Sequence, residues 1–153
     1  MTTIQSGLPF SVTDNTSGTI YGISTYAQFA PGKTAADAIL SGNTQSRLNA
    51  YFNTANFVPA LPIGDGTGFG NSGRDILRGP GQFNFDAGLG REFKVGGLSE
   101  GAFIQFRGEF FNTLNHPQFN NPGSNRGAPS SFGVISSAAV SPRIVQFALK
   151  YVF

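Results

Sequence analysis

From Arg143 to Phe153 the chain alternates, with Val145, Phe147, Leu149, Tyr151 and Phe153 on one side and Ile144, Gln146, Ala148, Lys150 and Val152 on the other. A period of two is that of a β-strand. An apolar face ending in an aromatic suits a strand that looks out at lipid, and the run is as long as the roughly 9–11 residues a tilted membrane-crossing strand needs. A strand of a soluble sandwich alternates in the same way, so this stretch by itself leaves both architectures open.

The same period recurs upstream. Over Gln82 to Val95, Phe83, Phe85, Ala87, Leu89, Phe93 and Val95 take one face and Asn84, Asp86, Gly88, Gly90, Glu92 and Lys94 the other. Arg91 alone breaks the apolar face. Near a strand end its guanidinium can snorkel to headgroup level, where charge costs ~0–1 kcal/mol instead of the ~2–4 kcal/mol of the bilayer midplane. Residues 96–101 predict a short turn. The chain then runs back from Ala102 to Phe111, with Ile104, Phe106, Gly108 and Phe110 opposed to Gln105, Arg107 and Glu109. In a barrel the polar faces line the lumen, where Asp86, Glu92 and Lys94 can pair or network across the strands with Arg107 and Glu109. Residues 2–12 predict a further strand carrying Ile4, Leu8, Phe10 and Val12 on one face. Pro9, lacking a ladder donor, belongs at an edge or strand end.

Between these strands lie two long loops, about 13–81 and 112–142. The first holds a helical pattern over Lys33 to Leu40, after Pro31-Gly32 and stopped by Gly42, and another over Gln45 to Phe52 in which Leu48, Tyr51 and Phe52 share a face. Its glycine-rich stretch Ile63 to Gly73 lacks the Gly-Lys-Ser/Thr ending of a phosphate loop, and Asp65 lacks the spaced acidic partners of a calcium loop. The second is rich in Pro and Asn and includes a short β-prone piece, Phe132 to Val140. Long loop, short turn, long loop is the rhythm of an up-and-down barrel. The expected fold is all-β: antiparallel strands at about 2–12, 82–95, 102–111 and 143–153 forming part of a transmembrane β-barrel. In an excised piece, residues 13–80 are expected to be the most disordered.

Composition sharpens this. Only 12% of the 153 residues are charged, against ~25% in a typical soluble domain, while the chain holds 21 Gly, 16 Phe and no Trp. The net charge of +2 comes from residues spread without a run, which gives nucleic acid no footprint. The absence of cysteine removes disulfides and thiolate metal sites. No stretch reaches the ~18–20 apolar residues of a membrane helix. The opening Met1-Thr2-Thr3-Ile4-Gln5-Ser6 has no basic or apolar leader region, so an exported chain would be a C-terminal piece of a longer protein. His116, the single histidine, sits in Asn-His-Pro with no placed nucleophile, and three nitrogen or sulfur ligands for zinc are not at hand. Asp86 and Glu109 as a glycosidase pair would need a cleft that nothing in the pattern supplies. Neither enzymatic activity nor a cofactor is expected.

Several blocks carry a resemblance: Gln5-Ser6-Gly7-Leu8-Pro9-Phe10, Tyr51-Phe52-Asn53-Thr54-Ala55-Asn56-Phe57, Phe69 to Gly81, Phe106 to Phe119 and Pro142 to Phe153. In this order they resemble the C-terminal end of TonB-dependent outer-membrane receptors, in the Oar-like branch with an N-terminal carboxypeptidase-regulatory-like domain. The resemblance implies a barrel of about 22 strands plugged by a separate N-terminal domain, of which this chain would supply about the last four strands and two outer loops. It further implies contact with outer-membrane lipid, with the rest of the receptor barrel and plug domain, and with the barrel-assembly machinery. TonB would be met only through the missing N-terminal part, and the piece alone would be inactive. Phe147, Leu149, Tyr151 and Phe153 look like the family's barrel-assembly signal, and no substrate-contact residue carries over. A soluble all-β binding or adhesion module is the alternative, and a small hydrolase around His116 a third class. Phe85, Phe106 and Phe147 converging in one dry interior would favour the soluble module.

Overall fold

A computed structural model describes residues 1–17, 22–95 and 101–153. The chain divides into two compact units, one made of Met1–Gln5, Gln82–Gln118 and Ala139–Phe153, the other of Ser6–Gly81 and Phe119–Ala138. Its strands in order are β1 (Thr2–Gln5), β2 (Pro9–Phe10), β3 (Thr13–Asp14), β4 (Thr25–Tyr26), β5 (Gln28–Phe29), β6 (Phe57–Val58), β7 (Leu77–Arg78), β8 (Gln82–Phe85), β9 (Ala87–Lys94), β10 (Phe103–Phe111) and β11 (Ile144–Val152), every named pair antiparallel.

In the first unit β10 is central, flanked by β9 and β11, and β1 pairs with β8. The predicted turn lies almost wholly outside the described residues, but Val95 N–H donates to Ala102 C=O at 3.0 Å and closes that end of the hairpin. The run 82–95 is not one strand. At Asp86 the ladder changes partner: its N–H goes to Met1 C=O (2.7 Å), whereas its carboxylate accepts from Asn84 Nδ2 and from Asn112 N–H, both at 2.9 Å. Asn112 ends β10 in a left-handed conformation (φ 48°), which Asn tolerates better than most residues. Its side chain then accepts from His116 N–H (2.9 Å) and donates to the carbonyls of His116 (3.3 Å) and Ser141 (3.2 Å). The turn after β10 is thereby tied to the approach to β11.

The predicted strand 2–12 is also broken. β1 stops at Gln5, after which Gly7 passes so close to Gly79 that a Cβ there would stand 1.7 Å from the Gly79 carbonyl oxygen. Gly79 N–H donates to Leu8 C=O (2.9 Å) and β2 pairs with β7. The apolar face proposed for 2–12 therefore splits: Ile4 is exposed, whereas Phe10 and Val12 are buried.

Residues of both predicted loops build the second unit. Its core gathers Phe10, Val12, Ala27, Ala38, Tyr51, Phe52, Phe57, Leu77 and Ile135. Phe52 is the hub, its ring centroid 6.0 Å from that of Phe10, 5.7 Å from Phe57 and 5.2 Å from Phe132. Edge-on contacts such as the last two add to simple burial of area. The helical stretches are shorter than their patterns. One 3-10 turn covers Ala36–Ala38, where Thr34 N–H and Oγ1–H donate to Asp37 (2.8 and 2.7 Å) and hold its carboxyl below the ordinary range. Helix α1 (Thr44–Asn49) is capped by Asn43, which accepts from Ser46 N–H at 2.9 Å. It ends before Tyr51 because the backbone extends there, letting Tyr51 N–H donate to Gly133 C=O (2.8 Å) and Phe52 bridge to Ile39. Phe132 to Val140 forms isolated bridges at Phe132 and Ala138 and no strand, bent at Gly133 (φ 78°).

Asp14 pins the two halves of this unit together. Fully buried, it accepts from Thr16 N–H (2.8 Å), Thr16 Oγ1 (2.6 Å) and Ser17 Oγ (3.2 Å), and pairs with Arg126 at 3.4 Å. Burial pushes its carboxyl up, but the hydrogen bonds from Thr16 and Ser17, joined by the Arg126 charge, outweigh burial and hold it below its ordinary 3.8. Its stabilising contribution is then complete above 3.8 and is lost as pH falls through the lower folded value. Amide-exchange protection at Ala27 and Tyr51 should weaken in that acid window, with a smaller step in Asp14→Asn, itself destabilised by about 1–3 kcal/mol. Phe52→Ala should cost this unit about 3–5 kcal/mol, read from the same amides.

Candidate membrane-facing surface

Strand pairing in β9–β10–β11 decides which side chains share a face. Across the sheet the apolar rows are Phe93–Ile104–Tyr151, Arg91–Phe106–Leu149, Leu89–Gly108–Phe147 and Ala87–Phe110–Val145. Between them run Lys94–Phe103–Val152, Glu92–Gln105–Lys150, Gly90–Arg107–Ala148 and Gly88–Glu109–Gln146. The alternations read from three separate segments thus fall into phase. A shift of one residue in any strand would put its phenylalanines among the charges.

The apolar face is not covered. Leu89 is 64% exposed, Phe147 64% and Leu149 72%, and Phe85 is also exposed at 37%. Phe85, Phe106 and Phe147 consequently do not share a dry interior. The rings form a layer on the sheet instead: Phe147 stacks on Phe106 (5.9 Å) and meets Phe110 edge-on (6.0 Å), and Tyr151 stacks on Phe153 (5.7 Å). Gly108 makes room for this, since a Cβ there would lie 3.3 Å from two carbons of the Phe147 ring. Arg91 places its guanidinium 5.2 Å over the ring of Phe93, which draws the charge along the strand toward the hairpin end. Of the expected assembly residues, Phe147, Leu149 and Tyr151 lie in this layer and Phe153 stacks at its end.

On the polar face the contacts run largely within one strand or to a neutral partner. Arg107 Nε pairs with Glu109 Oε1 of its own strand at 3.0 Å, and Glu92 accepts from Gln105 Nε2 at 3.0 Å. The register gives the reason: Gly90 and Ala148 lie across from Arg107, Gly88 and Gln146 across from Glu109, and Phe103 across from Lys94. No charge stands opposite any of the three, so the cross-strand ion pairs do not form. Asp86 leaves this row altogether, committed to Asn84 and Asn112 at the strand junction. Gly88 and Gly90 leave an open hollow over the sheet that Glu92, Gln105, Arg107 and Glu109 border.

β9 and β11 each keep one edge without a ladder partner among the described residues. Unpaired backbone groups cost several kcal/mol each in hydrocarbon, so a sheet with this surface needs further strands to complete it. His116 has its ring edge-on to Phe83 (6.1 Å), and its backbone serves the Asn112 turn. No cluster of His, Cys, Asp and Glu among the described residues is arranged to hold a metal ion, and no helix among them is long and apolar enough to cross a membrane. Sequence reasoning missed the Asp86–Asn112 junction. Its one visible signal was an Asn directly after a strand pattern, a residue suited to the left-handed turn found there.

Comparison with known proteins agrees with this surface. The family described as an outer membrane beta barrel domain matches residues 1–146, which takes in ten of the eleven strands and the start of the last. No curated protein and no solved structure matches the chain. An exposed apolar sheet face with a polar reverse, on an all-β antiparallel chain, is what a wall between lipid and water requires. The chain belongs to the outer membrane beta barrel domain family, and its place is the bacterial outer membrane, in association with membrane lipid.

Proposed function

We propose that this chain is the C-terminal part of the wall of a TonB-dependent import receptor, with β9, β10 and β11 among its closing strands. The observation that carries the barrel reading is the common phase of these strands, which gives one sheet a bare aromatic face and a face bearing Glu92, Lys94, Arg107, Glu109 and Lys150. The first meets acyl chains and the second the lumen. Support for the import role comes from the resemblance, two of whose blocks cover most of β10 with its turn and all of β11. The chain's part is structural, without catalysis. It depends on the rest of the barrel and a plug domain, on the barrel-assembly machinery that reads Phe147, Leu149, Tyr151 and Phe153, and on TonB through an N-terminal part beyond this chain. Residues 6–81 and 112–143 are then connections on the outer side, the 95–102 turn being on the inner.

Because the chain holds no Trp, single tryptophans report on the two faces without background. In vesicles of lipids brominated on the acyl chains, fluorescence of Leu149→Trp should be quenched severalfold more than that of Lys150→Trp. Equal quenching would overturn the assignment of faces. In cells producing the whole receptor, deletion of Phe153 should lower its level in the outer membrane without lowering its synthesis. Ligand uptake should fall to background when TonB is removed; uptake that continues undiminished would refute the import role while leaving the barrel wall intact.

A further inference from the structure

The line of β8 and β9 has two edges, and hydrogen bonds near its ends tell them apart. Thr113 N–H donates to Phe85 C=O (2.8 Å) and Val95 N–H to Ala102 C=O (3.0 Å), so odd-numbered residues turn their backbone groups toward β10. Asp86 does the opposite: its N–H donates to Met1 C=O at 2.7 Å, and its carbonyl accepts from the Met1 amino group. Even-numbered residues therefore face the β1 side. Odd residues point the same way at Phe85 and at Val95, so the change of partner at Asp86 does not slip the phase.

β1 occupies that second edge only beside β8, in the register Thr2–Phe85, Thr3–Asn84, Ile4–Phe83 and Gln5–Gln82. Farther on, the backbone groups of Gly88, Gly90, Glu92 and Lys94 point outward with no ladder partner among the described residues. The hollow over the polar face reaches the same place, being lined by successive β9 residues from Gly88 to Glu92. A Cβ on Gly88 or Gly90 would meet nothing nearer than a carbonyl oxygen, at 4.0 and 3.8 Å. Unpaired backbone and unfilled space thus coincide.

We infer that this edge receives an extended segment leading into Met1, which carries the β1 ladder along β9 without a change of register. The neighbour runs antiparallel to β9. Counted back from Met1, its first and third residues stand across from Ala87 and Leu89, on the lipid side, and have to be apolar. Its second and fourth stand across from Gly88 and Gly90, where large polar side chains fill the hollow and reach toward Arg107 and Glu109 in the next strand. Continuity with the β1–β8 pairing selects this occupant over a second copy of the chain, whose approach no existing ladder would direct. The inference rests on the reading of the chain as part of a larger wall, and supplies the direction and register that this reading leaves open.

The test places eight residues before Met1 of the full chain, apolar at odd and polar at even places counted back from it, in an uncharged maltoside detergent. The chain has no cysteine, so one disulfide reports one pair. Leu89→Cys should crosslink within the chain to a cysteine three places before Met1, where Cα atoms of a pair that is not hydrogen-bonded come to about 4.5 Å. Cysteines two or four places before Met1 lie on the other face and should react at least about tenfold more slowly. Without any cysteine, an Hα–Hα contact in the NMR spectrum should join Leu89 to the third place before Met1, beside the like contact between Phe85 and Thr2. Crosslinked dimers, equal rates at the three places, or absence of either Hα–Hα contact would each overturn the pairing. The Leu149→Trp and Lys150→Trp contrast reads the faces without this edge, and so tells such a failure from a failure of the wall itself.

Discussion

Everything in the sheet unit depends on the ladder that aligns β10 with a strand on each side. Backbone hydrogen bonds carry no sequence preference of their own, yet they fix which residue stands beside which. Here they place Leu89, Gly108 and Phe147 in one row and Gly90, Arg107 and Ala148 in the next. The hydrophobic effect chooses among registers, since a slipped strand would bury charge in acyl chains. The sheet thus acts as a partition, and its chemistry on each side is a consequence of phase.

The second unit is held by other means. Three ladders of two residue pairs each supply little cooperative hydrogen bonding. Phe52 and the rings around it supply apolar burial, while Asp14 supplies directionality by receiving donors from Thr16, Ser17 and Arg126. A buried carboxylate with this many partners discriminates strongly against other arrangements of the same segments. One unit is ordered by a repeating backbone pattern, the other by a few specific side chains.

That contrast explains what was legible in the sequence. The alternations around Phe93, Phe106 and Phe147 repeat every two residues, so they show their faces without any knowledge of partners. The core of the second unit has no such period: Phe10, Phe52, Phe57 and Phe132 come from separate segments, each flanked by turn residues. Asn53 and Gly133, beside two of these rings, look only like loop residues until the packing is known. The same limit applied to the charges. Glu92, Lys94, Arg107 and Glu109 were recognisable as a polar face, but whom each would meet depended on the register, and it set glycines, Ala148, Gln146 and Phe103 opposite three of them. The break at Asp86 was hidden because Phe83, Phe85, Ala87 and Leu89 alternate straight through it.

Asp86 also acts as a ruler. By taking the Asn112 N–H it fixes the last residue of β10, a strand of nine residues. At about 3.3 Å per residue and a tilt of about 45°, nine residues reach roughly 21 Å along the bilayer normal, close to the ~25 Å apolar band of outer-membrane barrels. One carboxylate at a junction thereby sets the hydrophobic thickness that this part of the wall presents, and so the membrane it matches without thinning or stretching the lipid around it.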